Sequence, residues 1–183
     1  ILDYNYNNPL YLERFCNEIT YESLQYLKTI NINAEKTYLM GHSAGGYFAI
    51  EPAEKYSDGL IQLGCTMNSL GKLPWKKKSL QGYKKPVLTL LGDKDGYLNY
   101  LYSLQEYQDL ENSDGKNKPI IIENGINHLQ MCDNIETNIA KFLQKKDCPS
   151  ELSLEQAHHT LSFTIAGFIN NSTFIKHKNN LSL

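Results

Sequence analysis

Apolar positions along the chain fall into two alternating patterns. After Asn8-Pro9, a residue able to cap followed by one suited to a first helical turn, Leu12, Phe15, Ile19, Tyr26 and Ile30 keep roughly helical spacing up to Asn31. Thr37 to Met40 is a short strand ending at Gly41, and Gly45-Gly46 opens a helix to about Tyr56 that Pro52 should kink. Leu60 to Gly64 is the next strand, and Pro86 to Gly92 is an apolar run suited to burial on both faces of a parallel sheet. A helix from about Leu98 to Leu110 precedes the strand Lys118 to Glu123. Asp133 with Glu136 can form a capping box for a helix carrying Ile135, Ile139, Phe142 and Leu143. Ser153 with Gln156 opens a last helix, with Leu154, Ala157, Leu161, Ile165 and Phe168 on one face.

Strands separated by helix-length segments imply βαβ units, hence an α/β fold: a mostly parallel sheet with helices on both faces. The 183 residues show no internal repeat and no composition break, so residues 1–170 are expected to form one domain and 171–183 a polar, loose tail. With 41% apolar and 21% charged residues the chain reads as a soluble globular protein. The balance of 18 basic against 20 acidic residues gives no support to nucleic-acid binding, even though Lys76-Lys77-Lys78 and Lys84-Lys85 follow Trp75 closely. The longest apolar run, Leu161 to Ile169, falls well short of the roughly 20 residues that span a bilayer. Cys16, Cys65, Cys132 and Cys148 have no zinc-ligand spacing and are read as thiols, with one bridge as the alternative. Neither localisation nor oligomeric state is legible, and the first residue is Ile rather than Met.

The chemistry concentrates at Gly41-His42-Ser43-Ala44-Gly45, a G-x-S-x-G pattern between a strand and a helix. A nucleophilic serine on so tight a turn must adopt strained dihedrals, and small residues are expected two before and two after it, where strand and helix pass closely. The Ala44 N–H, at the helix start, would face a developing oxyanion. An activated serine needs a base, and the base an orienting acid. Asp93 and Asp95 follow one strand and His128 follows the next, so both loops leave the carboxyl edge that carries Ser43.

The order Ser43, Asp95, His128 is characteristic, and from about Leu12 to Phe142 the chain resembles the α/β-hydrolase superfamily. The stretch from Asn127 to Met131 and that from Leu154 to His158 look most like its dienelactone-hydrolase and chlorophyllase-like esterase branch. The resemblance implies Asp95 as the acid in a G-x-x-D pattern, with Asp93 as the alternative, and His128 as the base in a G-x-x-H loop. It implies hydrolysis of a small-molecule carboxylic ester or thioester with no cofactor and no metal. A serine peptidase, or a module that acts by binding, is the alternative. His42 is read as packing or a wall of the substrate site; His158 and His159, adjacent on a helix, diverge and cannot chelate together. The superfamily inserts a lid where Thr66 to Lys85 lies, which makes Met67, Leu70, Leu73 and Trp75 candidate substrate contacts. Ser43 comes early for such an enzyme, and no glycine loop precedes it to supply a second oxyanion donor. The chain is therefore expected to be the carboxyl-terminal two-thirds of a hydrolase.

Overall fold

The computed structural model describes residues 9–32, 34–65, 83–98, 100–101, 118–132 and 144–170. Helix α1 (Pro9–Thr29) leads to strand β1 (Tyr38–His42), then to the short helices α2 (Ala44–Phe48) and α3 (Ile50–Tyr56). Strands β2 (Gly59–Leu63), β3 (Val87–Gly92) and β4 (Ile120–Glu123) follow, and helix α4 (Leu154–Asn170) comes last. Helix α1 ends where the sequence suggests: Asn31 has φ 57, and the next N–H, that of Ile32, returns to the Leu27 carbonyl at 3.0 Å. This left-handed closure satisfies a carbonyl that the last helical turn leaves open. At the start of α4, Ser153 and Gln156 form the expected reciprocal box, with Gln156 N–H donating to Ser153 Oγ at 3.2 Å and Ser153 N–H to Gln156 Oε1 at 2.9 Å.

Pro52 acts differently from a kink inside one helix. It lacks the N–H that would reach the Phe48 carbonyl, so the helix resets at Ala49 and Pro52 sits in the first turn of α3, where that loss is harmless. The expected helices 98–110 and 133–143 and the tail 171–183 lie outside the described residues, apart from residues 98, 100 and 101 at the first helix start.

The four strands are parallel in the order β1-β2-β3-β4, with His42 beside Leu63, Leu63 beside Leu90, and Gly92 beside Glu123. Every residue of β2 and β3 is buried, as apolar runs without alternation require when helices cover both sheet faces. On one face Leu60 and Val87 pack with Tyr47, Phe48, Ile50 and Ala53 of α2 and α3, joined by Cys16 of α1. On the other, Ile61, Leu63, Leu88 and Leu90 meet Ala157, Leu161 and Phe168 of α4. Each such aliphatic side chain contributes about 1.5–3 kcal/mol on full burial, which makes this double-sided packing the main support of the sheet. Because the strands run parallel, the loops after β1, β2, β3 and β4 all emerge along one rim.

All four cysteines are unbridged. Among the described residues no helix is long and apolar enough to cross a membrane, and no group of three His, Cys, Asp or Glu side chains could hold a metal.

Candidate active site

Strand β1 passes into α2 through a single residue, Ser43, at φ 52 and ψ −125. A non-glycine residue held there stores about 1–3 kcal/mol of strain, so its neighbours must fix it. Ser43 N–H donates to the Leu63 carbonyl at 2.9 Å, and its own carbonyl accepts from Gly46 N–H at 3.0 Å. Gly41 is sterically required: a Cβ would stand 2.5 Å from the Gly45 carbonyl oxygen and 2.6 Å from Gly46 N. The expectation that Gly45 is needed for space fails, because a Cβ there meets nothing within 4 Å. The crowded position is Gly46, where a Cβ would lie 2.9 Å from both Cys65 Cβ and the Gly41 carbonyl oxygen. Buried Gln62 fastens the same turn, its Nε2 donating to the Gly46 carbonyl at 3.1 Å. Ala44 is the first residue of α2, so its N–H has no acceptor within the helix and lies at the positive end of the helix dipole.

Two loops further along the rim, His128 and Asp95 meet. His128 Nδ1 lies 2.7 Å from Asp95 Oδ2, with only 7% and 1% of the two side chains exposed. Asp95 Oδ1 is occupied by the N–H groups of Tyr97 (2.8 Å) and Leu98 (2.7 Å). A carboxylate only accepts, so Nδ1 carries the proton and Nε2 is left with its lone pair. The His128 ring packs near the rings of His42 (centroids 4.7 Å apart) and Tyr97 (5.0 Å), and it presses on Gly64, where a Cβ would be 3.0 Å from Nδ1. Asp93, the alternative acid, is engaged elsewhere: its Oδ1 accepts Gly125 N–H at 2.6 Å. Burial, followed by the charges of Asp147 and Asp95, pushes the Tyr97 phenol above its ordinary pKa.

His42 projects toward the α4 side of the sheet, and its Nε2–H donates to the His128 carbonyl at 3.0 Å. Burial and then the neighbouring His128 ring lower its pKa to about 4, against the opposing pull of that hydrogen bond and of the Asp95 and Asp147 charges. A cleft of about 350 Å³ opens behind it, lined by Met40, Leu63, Met131, His158, Leu161 and Ile165 among others, and by none of Ser43, Asp95 or His128. Among the described residues no hydrogen bond joins Ser43 Oγ to His128. The turn that carries Ser43 is tied by its N–H to the carbonyl of Leu63, the residue before Gly64, and the His42 side chain donates to the carbonyl of His128. His159 is exposed on α4. Met67, Leu70, Leu73, Trp75 and the run Lys76-Lys77-Lys78 lie outside the described residues.

One member of the cluster has no sequence signal at all. Asp147 Oδ2 accepts Leu129 N–H at 2.9 Å, and its Oδ1 accepts Gly96 N–H at 2.8 Å and Cys148 N–H at 3.0 Å. It sits in a lysine-flanked loop near Pro149, in no motif. Tyr97 was equally silent, one more aromatic in a chain with 13 tyrosines.

No family model and no curated relative matches the chain. Among solved structures it is similar to a predicted CIB-like hydrolase from Thermoplasma acidophilum, with 20% identity over 73% of this chain and 60% of that one and a TM-score of 0.46. It is also similar to a carboxylesterase from Bacillus cereus, with 14% identity over 84% and 64% of the two chains and a TM-score of 0.43. A third is alpha/beta hydrolase domain-containing protein 10 from mouse, with 15% identity over 70% and 66% and a TM-score of 0.39. The chain thus spans about 60% of the length of the Thermoplasma protein. On its own geometry the chain has a parallel α/β fold, with the β1-β2-β3-β4 sheet, a strained serine between β1 and α2, and a hydrogen-bonded Asp95–His128 pair on the loops after β3 and β4, the arrangement that the resemblance to α/β-hydrolases leads one to expect.

Proposed function

We propose that this chain carries the catalytic residues of a serine hydrolase that cleaves a small carboxylic ester or thioester through an acyl-enzyme. The observation that carries this reading is the buried 2.7 Å bond between His128 Nδ1 and Asp95 Oδ2, on the rim that bears the strained Ser43. That bond fixes the tautomer in which Nε2 is the base. Ser43 Oγ attacks the ester carbonyl as His128 Nε2 removes its proton, and the resulting oxyanion is held by the Ala44 N–H. The tetrahedral adduct collapses: the carbon–oxygen bond to the leaving alcohol breaks, and His128 returns the proton to that oxygen. Water then repeats the sequence on the acyl group, releasing the acid and restoring Ser43. Asp95 stays ionised throughout and stabilises the imidazolium.

The test is covalent labelling of the folded chain with a fluorophosphonate, which reacts only with an activated serine. Labelling lost in both Ser43→Ala and His128→Ala supports the hydrolase. Comparing p-nitrophenyl esters of short and long acyl chains with a peptide amide separates an esterase from a peptidase of the same fold. A second reading, a module that acts by binding, is favoured by the lack of a hydrogen bond between Ser43 Oγ and His128 among the described residues. Triad bonds often tighten only around substrate, so that gap does not exclude catalysis. A folded chain silent to the probe would select the binding reading.

A further inference from the structure

We propose that Asp147 is a positioning residue that clamps the loop of Asp95 to the loop of His128 and thereby sets the geometry of the acid–base pair. The inference rests on the reading of Asp95 and His128 as catalytic. It comes from the placement of one carboxylate between two backbone amides that neighbour those residues. Gly96 directly follows Asp95, and Leu129 directly follows His128; their N–H groups donate to opposite oxygens of Asp147, at 2.8 and 2.9 Å. Near the sheet the two loops are already tied by Gly125 N–H on Asp93 Oδ1 at 2.6 Å and by Lys94 N–H on the Ile126 carbonyl at 3.1 Å; at their outer ends the Asp95–His128 bond is one bridge, and Asp147 is another, one residue further along each. The bonds near the sheet anchor the bases of the loops, and with the Asp95–His128 bond alone the outer segments that carry the pair can still tilt about it, whereas the added Asp147 clamp fixes that tilt. Only a carboxylate fills this role. It presents two acceptor oxygens at a fixed spacing, while an amide would turn an N–H toward one of the two donors.

The surrounding sequence is built for this approach. Gly96 has no side chain where one would stand 2.7 Å from Cys148 N and 2.8 Å from Asp147 Cα, so any larger residue would drive the clamp away. Asn127, immediately before His128, holds the clamp segment from the other side, its Nδ2 donating to the Cys148 carbonyl at 2.8 Å. Asp147 Oδ1 also takes its neighbour's N–H, that of Cys148 at 3.0 Å, which fixes the carboxylate plane. Catalytic groups must be held within about 0.5 Å of their working geometry. A misplacement of about 1 Å lowers turnover by about 10²-fold, so a residue that touches no substrate can still govern the rate.

The experiment uses the whole chain and two readouts. The first is the fluorophosphonate labelling rate, with kcat and KM on a p-nitrophenyl ester where turnover is measurable. The second is the downfield proton NMR signal of His128 Nδ1–H, assigned by its loss in Asp95→Asn, which needs no activity. Asp147→Asn is expected to slow labelling and kcat by about 10²-fold with little change in KM, and to weaken or shift the NMR signal. Gly96→Ala, which displaces the same segment from the opposite side, should act in the same direction. If Asp147→Asn does not fold, Asp147→Glu, which keeps both acceptors on a longer arm, carries the test by the same readouts. A folded variant whose labelling rate and NMR signal match wild type overturns the proposal, and so does one that loses only thermal stability with the signal unmoved. Should wild type itself resist the probe, the hydrolase reading falls, while the NMR signal still decides whether Asp147 sets the pair.

Discussion

Acidification should destabilise this protein through one identifiable imidazole. His42 is held with its ring against His128 and its Nε2–H on the His128 carbonyl, and its pKa in the fold is about 4 rather than 6.5. Between those two values the unfolded chain binds a proton at His42 that the folded chain does not, so stability rises with pH across that window. The contribution is fully present above about pH 6.5 and is lost as the pH falls to about 4. Each pH unit of the window represents about 1.4 kcal/mol, so the whole effect is about 3 kcal/mol. That is a large fraction of the roughly 5–15 kcal/mol that stabilises a typical domain. The comparison to make is wild type against His42→Gln, whose amide can still donate to the His128 carbonyl but does not titrate. Urea unfolding at pH 7, 5.5 and 4.5 yields a stability difference in which carboxylates common to both proteins cancel. The difference should move against wild type by most of that 3 kcal/mol as the pH is lowered. Curves that stay parallel would refute the burial argument for His42.

Three further perturbations separate the contributions of neighbouring residues. Gly92→Ala would place a Cβ on the Ile126 carbonyl oxygen, a backbone atom that cannot rotate away, and should lower stability by about 1–3 kcal/mol or more in urea titrations. Asp95→Asn should lower kcat by about 10⁴-fold, the scale seen when a triad imidazole is held in the wrong tautomer, whereas Asp93→Asn, which keeps an oxygen for the Gly125 N–H and loses only the charge facing Lys94 Nζ at 3.9 Å, should cost less than about tenfold; equal losses would mean that Asp95 has no special role. Lys85→Met removes the ammonium that caps the carbonyls of Ala53, Glu54 and Ser57 at the end of α3, and should cost about 2 kcal/mol of unfolding free energy. No change in the urea midpoint would show that water replaces the ammonium there.

What could be read along the chain is what depends on near neighbours. The apolar run of β3, the left-handed stop at Asn31 and the Ser153–Gln156 box act over a few residues, through burial and local hydrogen bonds, and each stands where the pattern puts it. The strand-to-helix turn at Ser43 and its strained φ are of the same kind, because the G-x-S-x-G spacing encodes them locally. The strand pattern alone leaves Asp93 and Asp95 open, since both follow one strand; the G-x-x-D resemblance favours Asp95, and the tertiary structure brings Asp95 to His128 while Asp93 takes the Gly125 N–H. Motif spacing does not reveal that Gly46, rather than Gly45, is the crowded glycine, because the crowding comes from Cys65 on the neighbouring loop together with the Gly41 carbonyl across the turn. Asp147 is the extreme case: its partners lie 51 and 18 residues away, and no local pattern marks a carboxylate whose use is to hold two distant backbone amides. Sequence carries short-range propensity and periodicity, but a contact between loops exists only once the parallel sheet has lined up their strands along one rim.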